Sequence, residues 1–205
     1  MIAVLDYGIG NLRSAEKALQ HLGADAHLVD DPERAAGADG VVLPGVGAFG
    51  RCAQALRSSG LDRAATFAVD RGVPFLGICV GFQLLYEGSD EDPTHAGLGI
   101  LPGVVRRLPA GVKHPQMQWN RLRPVGDGST GLLAGLPRPA WVYFVHSYAP
   151  DLTDDTSSTC DYGGPVTASA ERGPVWGTQF HPEKSGPIGL GILANFVAAV
   201  RDADR

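Results

Sequence analysis

Residues 2–6 open the chain as an apolar block that stops at Asp6. A block without alternation fits a strand covered on both faces, as in a parallel sheet. Leu12, Ala15, Ala18, Leu19 and Leu22 then recur at helical spacing, with Asn11 as a cap in front and Gly23 as a stop behind. Residues 26–29 and 40–43 repeat the strand pattern, and helical patterns cover about 50–58 and 61–71. Pro74-Phe75-Leu76 begins another strand, and a helix is predicted over 80–87. This βαβα alternation predicts an α/β fold, a mostly parallel sheet flanked by helices. The second half differs. Segments 98–108, 117–123, 141–148, 165–171 and 174–180 read as strands with few helices between them, a mixed or antiparallel extension of the sheet. The polar stretch 151–159 reads as a surface loop. Residues 187–201 form a last helix with Leu190, Leu193, Ala194, Val197 and Val200 on one face. No repeat or linker divides the chain, so residues 1–205 are expected to form one domain.

Composition narrows the function classes. Of 205 residues, 44% are hydrophobic and 19% charged, which is ordinary for a globular protein. The net charge is −5 and no run of Lys or Arg occurs, which argues against nucleic acid as a partner. The N-terminus has no basic region before its apolar block, unlike a signal peptide. The longest apolar stretch, near 188–200, is interrupted by Asn195 and is too short to span a bilayer. Three cysteines at irregular spacing fit a reduced, cytoplasmic compartment better than a disulfide framework. The His and Cys spacings do not form a metal-ligand pattern, so neither a metal nor a cofactor is expected.

The candidate chemistry centres on Gly77-Ile78-Cys79-Val80-Gly81. A small-xxx-small segment between strand and helix can form an elbow that exposes its central side chain. A lone cysteine is more often a packed one. Here the flanking glycines and the helix start, whose dipole favours thiolate, shift the balance towards a nucleophile. Far downstream lie His181, Pro182 and Glu183. Pro182 keeps His181 extended, and positions i and i+2 of an extended segment share a face. The carboxylate can then hold one imidazole nitrogen and leave the other for a thiol. Gly45, Gly47 and Gly50 fit G-x-G-x-x-G, which suits either a dinucleotide or a loop that offers N–H groups to an oxyanion. His146, at the end of an apolar strand, reads on chemistry alone as packed.

Gly77-Ile78-Cys79-Val80-Gly81-Phe82-Gln83 and Gly177-Thr178-Gln179-Phe180-His181-Pro182-Glu183-Lys184-Ser185 resemble the nucleophile and His-x-Glu segments of class I, triad-type glutamine amidotransferases. Three more segments are similar to those of the glutaminase subunits of imidazole glycerol phosphate synthase. They are Asp6-Tyr7-Gly8-Ile9-Gly10-Asn11-Leu12, Pro44-Gly45-Val46-Gly47-Ala48-Phe49 and Tyr143-Phe144-Val145-His146-Ser147-Tyr148. The resemblance implies a flavodoxin-like sheet and glutamine hydrolysis through a thioester. It makes Cys79 the nucleophile, His181 the general base and acid, and Glu183 the orienting carboxylate. It puts the oxyanion hole at the N–H of Val80 and the turn of Gly45, Val46 and Gly47. Gln83, Glu91, His146, Ser147 and Tyr148 would hold glutamine, with Glu91 meeting its ammonium. Asn11, Tyr143 and Lys184 would face a (β/α)₈-barrel cyclase, the partner in a heterodimer that uses the ammonia in histidine biosynthesis. One segment departs: the family usually reads Pro-His-Met-Gly-Trp-Asn where this chain has Pro115-Gln116-Met117-Gln118-Trp119-Asn120.

Overall fold

The computed structural model describes residues 1–126 and 131–203. The chain begins with β1 (Ile2–Leu5), α1 (Leu12–His21), β2 (Ala26–Val29), α2 (Pro32–Ala36) and β3 (Gly40–Gly45). It continues through α3 (Phe49–Ser58), α4 (Leu61–Asp70), β4 (Phe75–Cys79) and α5 (Val80–Gln83). Then come β5 (Gly88–Ser89), β6 (Val104–Arg107), β7 (Gln116–Arg121), β8 (Arg123–Pro124), β9 (Trp141–His146) and β10 (Tyr148–Pro150). It closes with β11 (Thr156–Asp161), β12 (Pro165–Arg172), β13 (Val175–Thr178) and α6 (Gly186–Ala203).

The main sheet has the order β2-β1-β3-β4-β13-β12-β11-β8. Its first five strands are mutually parallel, and the last three extend it antiparallel. Every residue of β1, β3 and β4 is buried, the result of helices on both faces and the reason these strands carry no polar alternation. The order of the parallel strands is the flavodoxin-like one, which opens a ligand crevice at the strands' carboxyl ends. Tyr7, Gly45 and Cys79 all lie at that end of the sheet.

Several elements differ from expectation. Apart from Arg123, which starts β8, segments 117–123 and 141–148 do not extend the main sheet. β7 and β9 pair with each other as a separate ribbon, while β10, β6 and β5 form a small third sheet. Of 98–108 only Val104–Arg107 is strand. The expected loop over 151–159 contains the start of β11, which inserts Thr156, Ser158 and Cys160 into the core. Its polarity hid it, but Ser158 Oγ is satisfied by Ser169 Oγ at 2.6 Å. The helix α2 is too short to show a period, although Asp31 caps it by accepting from the Glu33 N–H at 3.0 Å. On α6 the buried face runs through Ile192, Leu193, Phe196, Val197 and Val200, whereas Leu190 and Ala194 are only half-buried.

Candidate active site

β4 delivers Cys79 at φ 56°, ψ −112°, the only positive φ outside glycine among the described residues. Such a conformation costs about 1–3 kcal/mol and persists only where neighbours enforce it. Here they do. A Cβ on Gly77 would stand 2.7 Å from Phe82 Cα, and one on Gly81 would stand 1.8 Å from the Leu43 carbonyl oxygen. The two glycines let the turn fold back on itself and press against β3. The helix behind it is Val80–Gln83, not 80–87; tighter turns follow through Tyr86. Little macrodipole is available from one turn, so assistance at the sulfur comes from the local N–H groups that a helix start leaves without helical acceptors. The N–H of Val80 is the first of these.

Cys79 lines a cavity of about 280 Å³ together with Val46, Gly47, Val80, Gln83, Glu91, His146, Ser147, Tyr148 and His181. With Pro115 also in the lining, residues from six separate stretches of sequence meet around one thiol. A larger cavity, about 400 Å³ near Arg121, Leu133 and Arg138, holds neither a nucleophile nor a base.

His181 Nδ1 lies 2.8 Å from Glu183 Oε1, with both side chains 2% exposed. That leaves Nε2 for the Cys79 sulfur. Burial pulls the His181 pKa down, but the sulfur and the Glu183 carboxylate outweigh it and carry the imidazole up to about 10. Burial pushes Glu183 upward, yet His181 and Asn11 together bring it below its usual value. A folded pKa above the unfolded 6.5 means that the imidazolium contributes stability fully below about pH 6.5 and loses it as pH rises through about 10. Across that window wild type is therefore expected to lose stability more steeply than Glu183→Gln, whose imidazole has no carboxylate to face. Urea denaturation at a series of pH values measures this; parallel curves for the two proteins would contradict it.

His146 shows the opposite behaviour. Burial lowers its pKa to about 4, with the His181 charge acting in the same direction against a hydrogen bond to Tyr148. It is neutral at physiological pH. Nδ1 faces the Tyr148 carbonyl at 2.8 Å and must carry the proton, so Nε2 is a bare acceptor, buried and without a partner. It is a packed histidine that also lines the cavity and can accept from a ligand N–H. Gln83 spends its amide nitrogen on the Tyr148 carbonyl and on Gln179 Oε1, both at 3.0 Å. Glu91 Oε2 accepts the Phe49 N–H at 2.8 Å, tying the cavity wall to the start of α3.

Two residues that sequence reasoning missed, and Asn11, to which it gave other roles, complete the assembly. Gln179 Nε2 lies 3.8 Å from the Cys79 sulfur while its oxygen holds Gln83. Ser185 Oγ donates to the His181 carbonyl at 2.6 Å and fixes the end of the His-Pro-Glu segment. Asn11 stands at the cap position of α1, but its side chain caps nothing there. Its Nδ2 donates instead to Glu183 Oε1 at 3.0 Å. Gln179 alone carried a signal, as a buried amide in an otherwise apolar strand end; the other two depend on tertiary approach. The Gly45-Gly50 fingerprint is also resolved. A Cβ on Gly45 would stand 2.6 Å from the Gly81 N, and one on Gly50 1.9 Å from Asp92 Oδ2. Gly45 thus serves packing against the elbow, and Gly50 the close approach of α3 to Asp92. Gln116 is buried with Nε2 3.7 Å from Cys160 Sγ, and Gln118 is exposed. No group of three or more His, Cys, Asp or Glu among the described residues could hold a metal ion, and no helix among them is long and apolar enough to cross a membrane.

A cysteine elbow on a flavodoxin-like sheet, backed by a buried His-Glu pair, defines a class, and the family model "Glutamine amidotransferase class-I" matches residues 3–200: the chain belongs to the class-I glutamine amidotransferases. Two curated relatives narrow this. The chain is 47% identical over 204 residues to the imidazole glycerol phosphate synthase subunit HisH of Moorella thermoacetica, covering 98% of this chain and 96% of the relative. It is 47% identical over 207 residues to the same subunit of Salinibacter ruber, covering 97% and 94%. Within the class it is thus a member of the HisH group. Among solved structures, a glutamine amidotransferase superposes with a TM-score of 0.77 at 22% identity, covering 98% of each chain. The PurLQS structure of Thermotoga maritima gives 0.70 at 22%, covering 100% and 98%. At that identity the likeness speaks for the fold.

Proposed function

We propose that this chain, acting as a single domain in the cytoplasm, hydrolyses L-glutamine and passes the ammonia to a cyclase subunit of imidazole glycerol phosphate synthase. The observation that carries the chemistry is that Cys79 and His181 line one cavity while Glu183, outside that lining, holds His181 Nδ1 at 2.8 Å. The carboxylate fixes the tautomer and orientation of the imidazole, and its Nε2 manages the proton at sulfur. The Cys79 thiolate attacks the carboxamide carbon of glutamine and forms a tetrahedral oxyanion. N–H groups of Val80 and of the Gly45, Val46 and Gly47 turn stabilise that charge. Protonated His181 gives its proton to the departing nitrogen, and ammonia leaves a γ-glutamyl thioester. His181 then takes a proton from water, which attacks the thioester and frees glutamate. Glu91 suits the substrate ammonium, while Gln83, His146, Ser147 and Tyr148 line the rest of the cavity. The three free cysteines fit a reducing compartment.

The partner belongs on the β7–β9 ribbon. Met117, Trp119 and Trp141 share one of its faces with Tyr143 and are 62%, 50% and 48% exposed. An apolar patch beside polar residues marks an interaction surface. Tyr143 links it to the site, since its carbonyl accepts the His181 N–H at 3.1 Å. Exposed Lys184, three residues past His181, is the further residue assigned to this interface. Co-purification with the barrel cyclase, and glutaminase assays with and without its nucleotide ligand, test the pairing. Trp119→Glu is expected to weaken the complex roughly 10- to 100-fold, the range for a central aromatic anchor. Unchanged affinity by titration calorimetry would move the interface elsewhere.

A further inference from the structure

We propose that Gln179 is a further catalytic residue of this site. Its side-chain amide donates to the Cys79 sulfur and accepts from Gln83, which leaves the Gln83 oxygen facing the cavity for a substrate N–H. The inference rests on the reading of the site as a glutaminase. It concerns how one buried chain of hydrogen bonds serves both the nucleophile and substrate recognition.

The chain of bonds starts from a group of fixed polarity, since the Tyr148 carbonyl oxygen can only accept. It receives the His146 Nδ1–H at 2.8 Å and one Gln83 Nε2–H at 3.0 Å. The second Nε2 hydrogen of Gln83 points to Gln179 at 3.0 Å, so the Gln179 atom there must be Oε1. The other end of the Gln179 amide, Nε2, then faces the Cys79 sulfur at 3.8 Å. One carbonyl thus assigns both amides. Reversing Gln83 would set oxygen against oxygen, and reversing Gln179 alone would set NH₂ against NH₂. Both side chains are buried, so water cannot satisfy the groups that such a reversal would leave opposed.

The sheet places Gln179 at the sulfur. β13 runs parallel to β4 with Thr178 beside Ile78, so the next residues along the two strands are Gln179 and Cys79. The Gln179 N–H donates to the Ala168 carbonyl at 2.8 Å and anchors its backbone to β12. A side-chain N–H at the sulfur stabilises negative charge there before attack, and again when the thioester breaks and the charge returns. Unlike His181, it gives no proton away at either stage. Gln83, with both amide hydrogens engaged, has only Oε1 left for the cavity it lines, and that oxygen has no partner among the described residues. It complements the substrate ammonium, as the Glu91 carboxylate does; a reversed Gln83 would oppose that ammonium with an NH₂ group.

The test uses the complex with the cyclase, assayed for hydrolysis of L-glutamine and of glutaramate, the same amide without the ammonium. Gln179→Met is close in size and has no N–H. It is expected to lower kcat for both substrates about 10-fold, the low end for a hydrogen bond to a charged acceptor because the contact is long. It should also lower the ratio of kcat/KM for glutamine over glutaramate roughly 3- to 10-fold, because Gln83 loses its orientation. Gln179→Glu keeps an oxygen for Gln83 and is expected to hold that ratio within about 2-fold of wild type. Gln179→Leu, also without an N–H, takes the place of Gln179→Met if that variant does not fold. A folded Met or Leu variant with wild-type kcat would overturn the proposal, and so would an unchanged ratio. Equal loss of the ratio in the Met and Glu variants would point to packing and overturn it as well. Cys79→Ala separates the two levels: survival of turnover there would remove the glutaminase reading itself, whereas its loss beside a fully active Gln179→Met would remove only the role of Gln179.

Discussion

Cys79→Ala is expected to abolish glutamine-dependent synthesis by the complex while leaving ammonia-dependent synthesis near wild type. The loss should be on the order of 10⁴- to 10⁶-fold, as when the nucleophile of a hydrolytic triad is removed. The size follows from the mechanism. Alanine has no lone pair to form the thioester, and water held in the same cavity lacks the thiolate's nucleophilicity towards a carboxamide. Added ammonia bypasses the step, because the chemistry that consumes it belongs to the partner. Side-by-side assays of the complex with glutamine and with ammonium salts at raised pH measure both arms. Glutamine-dependent turnover within 10² of wild type would remove Cys79 from the mechanism.

Gly81→Ala should be nearly as damaging, by a different route. The added methyl would sit 1.8 Å from the Leu43 oxygen and 2.7 Å from its carbonyl carbon, both backbone atoms of β3. No flexible side chain can give way, so the elbow must move off the strand. Overpacking of this kind costs about 1–3 kcal/mol and sometimes more. A displacement of about 1 Å at a reacting atom costs about 10²-fold in rate. The variant is therefore expected to lose at least about 10²-fold in glutaminase kcat together with stability against urea. Gly88→Ala, where a Cβ meets nothing within 4 Å, is the matched control and should behave as wild type. If both variants kept full activity, the close approach of elbow and strand would not govern the geometry of Cys79.

Much of the parallel half was legible in the chain, because β1, β3 and β4 are buried on both faces and so must be apolar throughout. The nucleophile elbow was legible for a related reason. A backbone turned to φ 56° and pressed against β3 tolerates only glycine at 77 and 81, and that demand is written in the local sequence. The pairing of His181 with Glu183 was also local, but not by the extended i and i+2 spacing expected: only His181 is extended, and Pro182–Lys184 form a 3₁₀ turn that brings the Glu183 carboxylate back to Nδ1. Strands held by hydroxyl contacts were less visible. β11 looks like a loop because Thr156 and Ser158 carry polar groups; Thr156 accepts the Thr153 N–H, while the partner of Ser158 comes from Ser169 on β12.

The sequence by itself therefore determined the things that local sterics and periodicity control: the alternating α/β order, the elbow around Cys79 and the side-by-side His181 and Glu183. The tertiary structure decided which distant groups converge on them. Only folding brings Asn11 across to Glu183, Gln179 to the sulfur, and Cys52 to the Val46 carbonyl. It also gave two glycines of the Gly45-Gly47-Gly50 spacing separate packing contacts, Gly45 against the elbow and Gly50 against Asp92. The physical reason is that a hydrogen bond between segments far apart in sequence leaves no periodic mark on either one. Its partner is set by how the sheet and helices pack, and a buried polar group shows its purpose only when that partner is in place.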